Sequence, residues 1–232
     1  MQAAQPAVQR LDFDTLMVAV GGGSVDSELL RELYASGGHL VAADGGADRI
    51  VAAGLKPEVI IGDFDSLSNP FTWLGKAHLM QIAEQETTDF EKVLYSTRAP
   101  VTVALGMTGG RFDHTLAALD AVARHAAERR IVLVDEEDIA LGLVGPIRFT
   151  IDPGARVSVH PLAPVSFARS EGLDYPLDGL LLAPGVRTGT SNSTSGGTFS
   201  ITPVPGNRAP YLLILPRVFL AGLVSLLLHQ AQ

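Results

Sequence analysis

Two hydrophobic patterns alternate through the first part of the chain. Apolar runs rich in Val, Ile and Leu occupy 16–20, 39–43, 59–61, 101–105 and 131–134, and stretches with helical spacing lie between them at 28–34, 47–53, 88–97 and 112–128. The short runs are apolar on both faces rather than alternating, as expected of parallel strands covered by helices on either side. Strand–helix alternation repeated this often predicts an α/β domain with a doubly wound, mainly parallel sheet.

Beyond Asp138 the texture changes. Short extended pieces at 148–151, 156–159, 179–182, 198–202 and 211–215 are separated by the turn clusters Asp152-Pro153-Gly154, Ala183-Pro184-Gly185 and Pro205-Gly206-Asn207. Closely spaced strands with such turns predict a C-terminal antiparallel β-sandwich. The change falls at 138–146, giving expected domains of 1–140 and 141–232. The apolar tail 218–228 fits either a final strand pair or a short buried helix, and its pattern does not choose between them.

Composition narrows the class. At 232 residues, 47% hydrophobic and 18% charged, the chain can build a real core and is too apolar for global disorder. Lys and Arg number 17 against 25 Asp and Glu, a net charge of −8 with no basic run, so no nucleic-acid partner is expected. The lack of cysteine excludes disulfides, thiolate zinc sites and cysteine nucleophiles together. The opening MQAAQPAVQR has no apolar signal core, and the tail 218–228 is far shorter than the ~20 residues that span a bilayer. A soluble cytoplasmic protein with no membrane partner is the expectation.

In open parallel sheets ligands bind beyond the carboxyl ends of the strands. Those expected ends carry Ala43-Asp44-Gly45-Gly46, Gly62-Asp63-Phe64-Asp65-Ser66 and Gly106-Met107-Thr108-Gly109-Gly110-Arg111-Phe112-Asp113-His114, and Thr87-Thr88-Asp89 opens the helix between them. Asp44, Asp63, Asp65, Asp89 and Asp113 thus converge on one rim, among glycines that let backbone approach a ligand closely. If strand geometry persists past Gly62, Asp63 and Asp65 point to the same side about 7 Å apart, an unfavourable pair unless a cation neutralises it. Hard carboxylate oxygens without cysteine or paired histidines suit Mg²⁺. The same D-x-D spacing also suits two aspartates in a solvated turn. Thr88-Asp89-Phe90-Glu91 equally fits a capping box, and Asp113 a cap for the next helix. Lys92 and Arg111 either supply charge to a phosphate or pair with these aspartates.

Other features are weaker. Gly21-Gly22-Gly23-Ser24 can present backbone N–H groups to an anion, but it matches neither G-x-G-x-x-G nor the P-loop pattern. H-E-x-x-H and G-x-S-x-G do not occur, so zinc proteolysis and nucleophile-elbow hydrolysis have no support. His114, the histidine beside the acidic rim, reads as a packing residue. Tyr175, held extended by Pro176, can present its ring to a planar ligand, and Ser191 and Asn192 offer donors and acceptors. The same residues fit an ordinary aromatic contact and a polar turn.

Taken together and in order, these motifs resemble the thiamine pyrophosphokinase family. The matching residues are Ala43-Asp44-Gly45-Gly46-Ala47, Gly62-Asp63-Phe64-Asp65-Ser66, Thr88-Asp89-Phe90-Glu91-Lys92, Gly109-Gly110-Arg111-Phe112-Asp113-His114, Gly172-Leu173-x-Tyr175-Pro176-Leu177 and Ser191-Asn192, spread over 15–202. The resemblance implies an α/β domain binding Mg·ATP, a β-sandwich helping to bind thiamine, and a homodimer with thiamine held between subunits. It implies Mg²⁺ on Asp63, Asp65 and Asp89, and Asp113 as a further ligand or as orienter of the attacking hydroxyl. Lys92 and Arg111 would balance phosphate charge. Asp44, Gly45, Gly46, Gly109 and Gly110 would line the nucleotide cleft, and Tyr175, Ser191 and Asn192 would contact thiamine. Many members carry Glu, Asn and a basic residue where this chain has Ser193, Ala118 and Asp174. The implied reaction is pyrophosphoryl transfer from ATP to thiamine. A pyrophosphokinase for another heterocyclic alcohol, such as a hydroxymethyl pterin, and a non-catalytic nucleotide or thiamine sensor are the alternatives. Competing substrates separate the first, and ligand binding without AMP release marks the second.

Overall fold

The computed structural model describes residues 10–231, so most of the opening segment read above for a signal lies outside the described residues. The chain forms two compact units, 1–121 and 122–232.

The first unit runs β1 (Leu11–Asp12), β2 (Leu16–Val20), α1 (Ser27–Ala35), β3 (His39–Ala43), α2 (Gly46–Ala52), β4 (Val59–Gly62), β5 (His78–Gln81), α3 (Asp89–Ser96), β6 (Thr97–Arg98), β7 (Val101–Leu105) and the start of α4 (Phe112–His125). Five strands pair in parallel in the order β7-β2-β3-β4-β5, and β1 and β6 form a separate two-residue parallel ladder. The apolar runs become strands because each is buried throughout: all five residues of β2 and of β7 are inside. Local signals start the helices. The Asp26 carboxylate accepts the N–H groups of Glu28 and Leu29 ahead of α1, which turns Leu30 and Leu33 to the core. Thr88 Oγ1 accepts from Glu91 N at 3.4 Å ahead of α3, as the capping reading expected.

Strand β5 has no counterpart in the hydrophobic pattern. His78–Gln81 is an edge strand with no buried residue, so it lacks the apolar run that marks the others. The stretch expected to be helical over 112–128 ends as α4 at His125, because the N–H groups of Glu128 and Arg129 both turn back to His125 O.

The second unit contains β8 (Ile131–Val134), β9 (Asp138–Leu143), β10 (Ile147–Thr150), β11 (Arg156–Pro161), β12 (Val165–Glu171), β13 (Leu181–Leu182), β14 (Gly189–Ser193), β15 (Thr198–Pro203), β16 (Tyr211–Pro216) and α5 (Leu220–His229). Its strands make two antiparallel ladders, β14-β11-β16-β9-β8 and β10-β15-β12-β13. Run 131–134 forms β8, which pairs antiparallel with β9 across the short link 135–137. The tail resolves as helix: Leu220, Leu223, Val224 and Leu227 are buried at helical spacing. Phe149 meets Phe199 edge-on at 6.4 Å and Phe167 meets Tyr211 at 5.4 Å, while the buried Tyr211 hydroxyl donates to Gly145 O at 2.7 Å.

The change of texture at 138–146 falls inside this second unit, at β9 and β10, while the units divide within α4. No described helix is long and apolar enough to cross a membrane.

Candidate active site

Strand order locates the site. The chain steps outward from β2 through β3, β4 and β5 and then returns to the other side of β2 as β7. Connections therefore diverge beyond the carboxyl ends of β2 and β7, where a crevice opens in sheets of this kind. Two glycine turns meet there. Gly21 N donates to Leu105 O at 2.8 Å and Gly23 N to Gly106 O at 3.0 Å, so those two amides are not available to an anion. A Cβ on Gly21 would stand 2.6 Å from Gly106 O, and Gly106 itself has φ of +69°, so both positions need glycine. Above them lies a cavity of about 600 Å³ lined by residues 21–24 and by Arg49, Asp89, Thr108, Gly110, Arg111, His114 and Ala118, among others.

At the neighbouring strand ends, the loops after β3 and β4 dovetail. Asp44 N donates to Ile61 O at 2.9 Å, and Ser66 N donates to Asp44 Oδ2 at 3.1 Å. Gly62 fits because a Cβ there would lie 2.7 Å from that of Asp44, and Gly46 because a Cβ would lie 1.8 Å from Val20 O. Asp44 (φ +43°) and Phe64 (φ +72°) adopt left-handed backbone that non-glycine residues rarely take. The left-handed Phe64 corrects the expected strand alternation of Asp63 and Asp65: β4 ends at Gly62, and Asp65 N folds back to donate to Asp63 Oδ1 at 3.3 Å.

The result is a carboxylate trio. Asp44, Asp63 and Asp65 each bring one oxygen within 4.8 Å of the others. Asp44 is 1% exposed, and its Oδ1 has no hydrogen-bond partner among the described residues. Burial, above all, pushes its carboxyl up to about 6; the charges of Asp89, Asp63 and Asp65 push the same way, against the Ser66 N–H bond. Asp63 is held below the usual range chiefly by Gln85, whose Nε2 donates to Oδ2 at 2.7 Å. A buried acceptor without a donor, beside two further hard oxygens, fits a divalent cation of the Mg²⁺ type by donor chemistry.

The other rim residues are arranged differently. Asp89 lies outside the trio, raised by burial and countered by Lys92, whose buried Nζ stands 3.1 Å from Asp89 Oδ1 and 4.0 Å from Asp63 Oδ2. Arg111 is engaged by Asp113 at 2.6 Å in an exposed pair, and Asp113 Oδ1 also accepts from His114 N at 3.0 Å. Gly109 turns the chain at φ +76° just before Gly110 joins the cavity wall.

Some site residues escaped the sequence reading. Gln81 and Gln85 both reach the Asp63 loop, through Asp63 O at 3.2 Å and through its carboxylate. Glu84 knots the segment ahead of α3: it accepts from Glu86 N, Thr87 N and Oγ1, and Tyr95 OH. Arg49 donates from Nε and Nη2 to Gly22 O at 3.1 and 2.9 Å. Its place one helical turn past Gly46 was the available signal. The glutamines carried none, since no charge or spacing marks them.

In the second unit, Tyr175 and Asn192 are joined and Ser191 adjoins them. Asn192 is buried, and its side chain bonds both backbone edges of Tyr175, whose ring stays 69% exposed. Ser191, at φ +59°, donates its N–H to Ser158 Oγ at 3.0 Å. Asp174 and Ser193 hydrogen-bond to each other through their side chains, and Asp174 N donates to Ser193 O at 2.9 Å. The polar segment 189–193, which also reads as a turn, is strand β14.

Comparison with known proteins gives a consistent result. Residues 30–133 match the family model described as thiamin pyrophosphokinase, catalytic domain. The chain is 25% identical over 187 residues to thiamin pyrophosphokinase 1 of Caenorhabditis elegans, covering 73% of this chain and 76% of that protein. It is 29% identical over 196 residues to thiamine pyrophosphokinase 1 of Oryza sativa subsp. japonica, covering 70% and 74%. Its fold is similar to that of the thiamin pyrophosphokinase from Geobacillus thermodenitrificans, with a TM-score of 0.73 at 22% identity over 87% of this chain and 97% of that one.

Proposed function

We propose that this chain, whose residues 30–133 match the thiamin pyrophosphokinase catalytic domain, transfers the pyrophosphoryl group of ATP to thiamine, giving thiamine diphosphate and AMP. The hydroxyethyl oxygen of thiamine attacks the β-phosphorus and loses its proton. The bond from that phosphorus to the oxygen shared with the α-phosphorus breaks, and AMP leaves with that oxygen. The pterin and sensor alternatives have no comparable support among the relatives.

The observation that carries this reading is the buried, donorless Asp44 Oδ1 beside Asp63 and Asp65. Asp44, Asp63 and Asp65 would hold Mg²⁺, with Asp89 adjoining. Bound there, the ion supplies charge neutralisation to the polyphosphate. Gln85 orients Asp63, and Lys92 places a positive charge between Asp89 and Asp63. Gly45, Gly46, Gly109 and Gly110 shape the nucleotide cleft, and Arg111 and Asp113 act at its rim. Asp113 is a further ligand of the ion or orients the hydroxyl. Tyr175 stacks on thiamine, with Ser191 as a hydrogen-bonding neighbour and Asn192 as the holder of Tyr175. A doubly wound catalytic domain over 1–140 and a β-sandwich over 141–232, working as a cytoplasmic homodimer, complete the proposal. Its support is the order of the motifs and, for location, the need for ATP.

The test is incubation with Mg·ATP and thiamine, followed by chromatography for AMP and thiamine diphosphate in equal amounts. Asp65→Ala should lower kcat by about two orders of magnitude or more. Turnover within a fewfold of wild type would remove Asp65 from this role.

A further inference from the structure

We infer that Arg49 is the cation that grips the phosphate chain of the nucleotide, a role resting on the proposed use of ATP. Three cationic side chains stand around the cavity and the aspartates, and two of them are already engaged. Lys92 is buried, with Nζ 3.1 Å from Asp89 Oδ1 and 4.0 Å from Asp63 Oδ2, so it is committed to those two carboxylates. Arg111 is held two-pronged by Asp113, at 3.2 and 2.6 Å, and can turn to a phosphate only by releasing that carboxylate. Arg49 has no carboxylate partner among the described residues; its contacts are to a neutral carbonyl.

Placement follows from packing. Gly46 lets α2 start in contact with the end of β2, because anything larger would collide with Val20 O. Arg49 lies one turn further on, beside the loop that leaves β2, and there its Nε and Nη2 fork over Gly22 O. A guanidinium has five N–H donors, so three remain after this contact. The carbonyl fixes the plane of the fork at the cavity wall, which lowers the ordering cost when the free edge takes a phosphate. The same contact commits the Gly22 carbonyl to Arg49. The Gly21 and Gly23 amides are spent on Leu105 O and Gly106 O, so the glycine loop offers an anion fewer backbone donors than its sequence suggests. The loop serves as the rest for Arg49, and Arg49 supplies the charge.

The test uses the full chain with Mg²⁺ and α,β-methylene ATP, which cannot be cleaved at the bond that would react, and titration calorimetry as readout. Arg49→Gln should weaken nucleotide binding about ten- to a hundredfold. Its KM for thiamine should stay within about twofold while its KM for ATP rises in parallel with the binding loss. Arg49→Lys, which keeps the charge but not the fork, should fall between the two. In a second measurement on unaltered protein, the nucleotide should shield Arg49 from phenylglyoxal, mapped by mass spectrometry, so the inference stays testable if a variant fails to fold. Nucleotide binding by Arg49→Gln within twofold of wild type, or no shielding of Arg49, overturns it. Wild-type protein that binds no nucleotide overturns the proposed function, and this inference with it.

Discussion

Asn192 holds Tyr175 by both edges of its backbone: Oδ1 accepts from Tyr175 N at 3.0 Å, and Nδ2 donates to Tyr175 O at 2.7 Å. The same Oδ1 accepts from Ser193 N at 2.8 Å. A buried side-chain amide thus does the work of a neighbouring strand, leaving the Tyr175 ring free on the outside.

Asn192→Ala should therefore cost about 1–3 kcal/mol, since it removes all three hydrogen bonds of a buried side-chain amide. Chemical denaturation measures the cost. Exchange of the Tyr175 amide proton should speed up markedly, and an unchanged exchange rate would mean that the loop is held by its other contacts.

The glycines separate by what surrounds them. Gly46→Ala places a Cβ 1.8 Å from Val20 O, against backbone that cannot yield, and should destabilise the protein by ~3 kcal/mol or more. At Gly22 nothing lies within 4 Å of the same atom, so Gly22→Ala should change stability by less than about 1 kcal/mol. Urea midpoints of the two variants, measured side by side, check this, and equal midpoints would contradict it.

Asp44→Asn removes one of three clustered charges and the most deeply buried of them. In metal-free buffer the variant should be more stable than wild type, by about 1–3 kcal/mol. Added Mg²⁺ should raise the melting temperature of wild type and leave the variant almost unmoved. A variant that melts below wild type without metal, or responds equally to Mg²⁺, contradicts the cation reading of the trio.

His125 provides a pH dependence away from the site. Burial, reinforced by Arg129 and Arg124, pushes its imidazole down to about 4 from 6.5. Between those values the unfolded chain binds a proton that the folded one refuses. Its contribution to stability is therefore complete above pH 6.5 and is lost as the pH falls toward 4, by roughly 3 kcal/mol. Denaturation at pH 7, 5.5 and 4.5 should show a shallower acid decline for His125→Gln than for wild type. Parallel curves would assign the acid sensitivity to other groups.

Much of the fold was legible because burial writes itself into short sequences. Runs 16–20, 39–43 and 101–105 coincide with β2, β3 and β7, since each strand is buried along nearly all of its length and is therefore mostly apolar. β5 and β14 were not, because edge strands need no apolar pattern and their pairing is supplied by backbone alone. The tail shows the reverse case: Leu220 to Leu227 is apolar enough for either structure, and only packing selected the helix.

The sequence by itself determined which residue types stand at the carboxyl ends of the strands: the aspartates, the glycines that let them approach, and the capped start of α3. It determined these because they depend on local chemistry. Only the tertiary structure decided the grouping. Asp44 joins Asp63 and Asp65 because the loops of adjacent strands β3 and β4 interlock, while Asp89 is drawn to Lys92 and Arg111 to Asp113. It also decided that β7 returns beside β2, opening the crevice in which Arg49 lines the cavity with no carboxylate partner among the described residues. Strand order and loop interlock are relations between distant segments, and no local pattern carries them.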